Sequence, residues 1–203
     1  DVTASFLDKF LKIYIPFIGA KNNAKIYDVK GNIMKKQEER GRRYEALTLW
    51  KGDTLIGTVI YARKKATFSV AYRVFPAYLD NLKLSASPAN VSELLLTQRA
   101  LSEGKIRIIH GRDRNAYGMN VDIGLAIYKM RLNAIPHISR SEANEILELP
   151  EHLEQDTMVF MGTEPGEACT EVVLYTDLSE EEVRETYATI YSYDQMPVRV
   201  VPR

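Results

Sequence analysis

The chain has 203 residues, 45% hydrophobic and 27% charged, an ordinary balance for one large globular domain or a main domain with a small appendage. Lysines and arginines number 27 and so do aspartates and glutamates, so no net charge draws the whole chain toward nucleic acid or an anionic membrane. The single cysteine, Cys169, excludes an internal disulfide and a tetrahedral cysteine zinc site, and His110, His137 and His152 are too scattered for a metal-binding spacing. No apolar run is long enough to span a bilayer and the start lacks the layout of a secretory signal, so the expected location is cytoplasmic, with no membrane partner.

Residues 3–14 place Phe6, Leu7, Phe10, Leu11 and Tyr14 at helical spacing, with Thr3 as cap and Pro16 as stop. Residues 24–29 predict a short strand and Lys30-Gly31-Asn32 a turn. The mixed charges of residues 34–43 predict a solvated loop or helix face, in which Arg42 and Arg43 are candidates to touch phosphate. Residues 44–50, 55–62 and 67–75 read as three β-prone strands, and the short turns between them predict an antiparallel meander. Trp50, the only tryptophan, ends the first strand and is expected to be partly buried with its indole N–H partnered.

Ser87-Pro88 opens a helix whose apolar face is expected to hold Val91, Leu94, Leu95 and Leu101, and Gly104 closes it. The apolar run 106–109, between Gly104 and Gly111, reads as a buried strand. Because it follows a crossover helix, it is expected to lie parallel to a neighbour. A polar loop, 110–120, comes next, and then a helix with Ile123, Ala126, Ile127 and Met130 on one face, Asn120 as N-cap and Pro136 as terminator.

A strand end, a polar loop and a helix N-terminus together make a common site for an anionic ligand. Arg112 and Arg114 suit phosphate or carboxylate because guanidinium presents a planar fork. Asn115, Tyr117 and Asn120 can add neutral hydrogen bonds, and Lys129 a further charge. His110 and Asp113 are the candidate bases. The competing readings are structural: His110 anchoring the loop, Asp113 pairing with an arginine, and the asparagines serving turns and caps. Cys169 has no histidine near it in sequence and is not expected to be a nucleophile.

Residues 139–155 read as an acidic helix and linker. Residues 156–203 read as β-β-α-β: strands 157–161 and 171–176, a helix opened by the capping box Ser179 to Glu182, and a last strand 198–201. This tail either completes the main sheet or forms a small lobe.

Helix, antiparallel meander, crossover helix, strand and helix, in that order, resemble the GNAT-type acyltransferase fold over roughly residues 44–138. The run Tyr128-Lys129-Met130-Arg131-Leu132 before Asn133-Ala134 is similar to a segment near the end of Fem-type aminoacyltransferases. The arginine/glutamine and glycine-x-glycine loop with which GNAT enzymes cradle coenzyme A is not found between Val74 and Val91, which shifts the resemblance toward the Fem-type side or a non-catalytic relative.

The expected fold is therefore α/β of the α+β kind: a mixed, largely antiparallel central sheet flanked by helices, with a GNAT-like core at 1–138. The resemblance implies transfer of an acyl or aminoacyl group from acyl-CoA, or another phosphate-bearing donor, to an amine, without a metal. Partners would be the small-molecule donor and the amine acceptor, with tRNA the one nucleic acid that fits. The alternatives are a non-enzymatic phosphate-ligand-binding or interaction domain and, third, an RNA-associated module.

Overall fold

The structure, a computed structural model, describes residues 1–20, 26–78, 83–110, 123–138, 153, 155–164, 166–192 and 196–203. The chain divides into two units, Asp1–Gly111 and Arg112–Arg203, each with its own mostly antiparallel sheet, so the architecture is α+β. The division falls before the boundary at 138 read from sequence. No helix among the described residues is long and apolar enough to cross a membrane.

In the first unit, α1 (Ala4–Gly19) starts at Thr3, whose hydroxyl accepts from the Phe6 N–H. Its buried face is Leu7, Phe10, Tyr14 and Phe17, one residue per turn. Pro16 does not stop it. The proline forfeits one backbone hydrogen bond, and burial of Phe17 beyond it offsets that loss.

The strand and turn expected at 24–32 are a further departure. Asp28 accepts from the Gly31 N–H and caps α2 (Val29–Arg40), which buries Val29 and Ile33 and ends at left-handed Gly41. Residues 24 and 25 lie outside the described residues. Lys35 to Arg40 of the charge run lie on this helix, whereas Arg42 follows it and Arg43 opens the next strand.

The meander is present as β1 (Arg43–Lys51), β2 (Thr54–Arg63) and β3 (Thr67–Val74), all antiparallel. β2 is buried without alternation from Gly57 to Ala62, as expected of a strand covered on both faces. Tyr61 and Phe68 meet in the core at 4.9 Å with their rings tilted by 47°, and Tyr14 of α1 meets Tyr72 of β3 edge-on at 5.9 Å.

The crossover helix α3 (Pro88–Ser102) begins at Ser87, as expected. It ends in a Schellman motif at left-handed Gly104: the Gly104 N–H donates to the Leu101 carbonyl and the Lys105 N–H to that of Ala100. Its buried face, however, is Ala89, Ser92, Glu93, Leu96 and Ala100, while Leu94 and Leu101 are exposed. Small residues let the helix approach the sheet, and Glu93 is drawn inward by a partner on β3.

β4 (Arg107–Ile109) pairs parallel to β3, as the crossover requires, from Thr67↔Arg107 to Ser69↔Ile109. It is the edge strand rather than a buried one, and Ile106 beside it is 82% exposed.

The second unit is a sheet of β5 (Thr157–Met161), β6 (Glu171–Tyr175) and β7 (Val198–Val201), antiparallel then parallel. These three tail strands form a sheet of their own rather than joining the first. Helix α4 (Ile123–Arg131) packs Ala126 and Met130 with Met158, Phe160 and Leu174 of this sheet. Asn133, at φ 56°, ends α4 in a second Schellman motif, before Pro136 can act. The predicted capping box opens α5 (Glu180–Thr186): Ser179 and Glu182 exchange hydrogen bonds. A break at Tyr187 separates α5 from α6 (Ala188–Tyr191), where one helix was expected.

Candidate functional site

β3 outruns β4. Their pairing ends at Ser69↔Ile109, and β3 continues to Val74. In open sheets with parallel neighbours, ligands bind beyond the carboxyl ends of such strands. Three side chains meet there. Arg73 comes from the last turn-ward residues of β3, Glu93 from the sheet-facing side of α3, and His110 from the residue directly after β4. Arg73 Nη2 donates to Glu93 Oε2 at 2.6 Å. The same nitrogen lies 2.7 Å from His110 Nδ1, and Glu93 Oε1 is 3.6 Å from that Nδ1.

The chemistry of this trio decides the histidine tautomer. A guanidinium nitrogen has protons to give and no lone pair to accept with. Nδ1 facing it at 2.7 Å must therefore be the acceptor, which puts the proton of the neutral ring on Nε2. Held this way, the neutral His110 ring presents an Nε2 hydrogen-bond donor. The Arg73 and Glu93 side chains are 15% and 9% exposed, so the pair that fixes the ring sits largely out of water.

Of the residues expected from sequence, His110 stands at the strand end as read. Arg112, Asp113, Arg114, Asn115, Tyr117 and Asn120 lie outside the described residues. Lys129 is half-buried on α4 in the second unit. Arg73 and Glu93 were missed. The available signal was a lone arginine inside the β-prone run Ser69–Val74 and a glutamate in register with Ala89, Leu96 and Ala100.

A second charged cluster in the first unit is a structural clasp. Glu45 on β1 accepts from the Tyr61 hydroxyl at 3.0 Å and pairs with Arg63 at 3.1 Å and Arg99 at 2.6 Å. Glu103 pairs with Arg63 and Arg99 in turn. Burial pushes the Glu45 carboxyl up, but the Tyr61 and Arg63 hydrogen bonds and the two arginine charges outweigh it and hold it below the ordinary range. Burial, together with the Glu45 carboxylate, raises the Tyr61 hydroxyl. Every charge in the clasp is opposed by another, so it ties β1 and β2 to α3. In the second unit Cys169 is buried, and burial pushes its thiol up to about 11, so it is no nucleophile at neutral pH.

No protein-family model matches the chain, and neither the curated proteins nor the solved structures yield a match.

Proposed function

We propose that the chain is an acyltransferase-like protein that moves an acyl or aminoacyl group from an anionic donor to an amine. The observation that carries the reading is His110, presented at the end of β4 beside the overrunning β3 with its Nδ1 engaged by Arg73. The antiparallel meander, the crossover helix α3 and the parallel β4 support it, being the part of the order resembling GNAT-type enzymes that the first unit contains.

In this reading the amine nitrogen attacks the donor's acyl carbon, and the carbonyl oxygen takes the electron pair. The His110 Nε2–H donates to that oxyanion, and the bond to the leaving group then breaks with its electron pair. The proton lost by the amine goes to a separate base, for which Asp113 is the candidate. Arg112 and Arg114, two and four residues after His110 in the chain, are the candidates read from sequence to hold the donor's phosphates.

The test is release of free thiol from short- and medium-chain acyl-CoAs in the presence of an amine panel, with aminoacyl-tRNA mimics assayed in parallel. Turnover is expected with one donor class. Loss of one oxyanion donor in His110→Ala should lower kcat roughly 10²–10³-fold. His110→Gln, whose amide can still donate, should retain more activity. A stabilising thermal shift with a donor but no turnover would favour the phosphate-binding domain instead. Turnover that survives His110→Ala unchanged would remove His110 from the chemistry.

A further inference from the structure

The first unit also holds a partly open groove of about 320 Å³ whose lining includes none of Arg73, Glu93 and His110. It is made where the β1–β2 register shifts between Leu49 and Trp50. Leu49 and Ile56 form its strand side, and Leu84, Pro88 and Val91 form the side leading into α3. Trp50 stands at the groove 57% exposed. Its Nε1 already donates to the Thr48 hydroxyl at 3.2 Å, so what the indole offers is an apolar ring. A large aromatic in water beside aliphatic walls is the surface an apolar ligand covers.

One charge belongs to the lining. Lys51 Nζ donates to the Lys83 carbonyl at 3.2 Å, which holds the ammonium beside the groove with two of its three protons to spare. Among the described residues, no carboxylate pairs with it. At roughly 30 Å³ for each water-sized group, the groove has room for about ten non-hydrogen atoms.

We infer that this groove binds a medium-chain fatty-acid-like molecule: an unbranched apolar tail along Leu49, Ile56 and Val91, and an anionic head on Lys51. The apolar lining with one cation at its margin, not the transfer chemistry, is what selects this class.

Because Trp50 is the sole tryptophan, its emission reports directly on the groove. The experiment titrates the full chain with octanoate and, separately, with octanol. A saturable blue shift with octanoate is expected. Lys51→Gln should lower the octanoate-to-octanol affinity ratio about three- to fivefold, the range of an exposed ion pair. Val91→Phe, which fills the groove, should weaken both ligands at least about tenfold, with the fold checked by circular dichroism. Ile56→Phe serves the same purpose if Val91→Phe fails to fold. A shift that never saturates, an unchanged ratio in Lys51→Gln, or unchanged affinity in the filled variants overturns the inference. So does a blue shift that grows with protein concentration alone, which would make a second copy of the chain the occupant. None of these readouts depends on acyl transfer, so the groove and the transferase reading stand or fall separately.

Discussion

Glu93→Gln keeps the shape of the side chain and removes its charge, leaving Arg73 without its carboxylate in a largely buried place. The Nη2–Oε2 distance of 2.6 Å corresponds to a Coulomb attraction of about 6 kcal/mol at an effective dielectric of roughly 20. Desolvation of the two ions, several kcal/mol each, takes back much of that, so the intact pair contributes little net stability. Breaking it is different, because Arg73 keeps its desolvation cost and loses the carboxylate 2.6 Å from it. Glu93→Gln should destabilise the first unit by about 3–5 kcal/mol, whereas the double change Arg73→Met with Glu93→Leu should fall within about 1 kcal/mol of the parent. Urea unfolding followed by Trp50 emission measures this in the first unit alone, and urea leaves the charge interaction unscreened. A Glu93→Gln variant within about 0.5 kcal/mol of the parent, at unchanged denaturant slope, would refute the reasoning.

Nitrogen NMR of the His110 ring should show Nδ1 unprotonated and Nε2 protonated in the neutral form, and Arg73→Met should abolish that preference; a proton on Nδ1 in the parent would exclude the donor role. The second unit should be labile in alkali. Burial raises the Cys169 thiol from an ordinary 9.0 to about 11, so its contribution is full below pH 9 and about 3 kcal/mol is lost as pH rises through 11. Burial and the Asp156 hydrogen bond raise Tyr187 to about 12, extending the loss upward. Melting curves of the parent and Cys169→Ala that stay parallel from pH 8 to pH 11 would contradict this. Ser179→Ala removes the hydroxyl that accepts from the Glu182 N–H and should cost about 1 kcal/mol by urea unfolding followed by circular dichroism; no change would mean the capping box does not limit the stability of α5.

Much of the framework was legible because the information is local. The turns Lys51–Asp53 and Arg63–Lys65 between β-branched runs dictate a meander whatever surrounds them, and its strands lie within a residue or two of the expected bounds. Thr3, Ser87 and Ser179 cap helices because a hydroxyl can reach an N–H three residues on, and Gly104 closes one because a left-handed residue costs glycine nothing. Even the parallel β4 follows from chain connectivity.

The tertiary structure decided where two local preferences competed or where partners lie far apart along the chain. Pro16 should end a helix, yet burying Phe17 in the core outweighs one lost hydrogen bond. The leucines of α3 should face inward, yet the face that fits the sheet is the one with small residues and Glu93. Arg73 and Glu93, 20 residues apart, meet only when β3 and α3 are laid together, and only then does His110 Nδ1 face a guanidinium. The sequence by itself determined most of the elements, because caps, turns and periodicity act within a few residues, but not α2, whose start reads as a strand and turn. Which faces are buried and which charges meet is settled by packing, whose energies are larger than any local preference and depend on residues no short window contains.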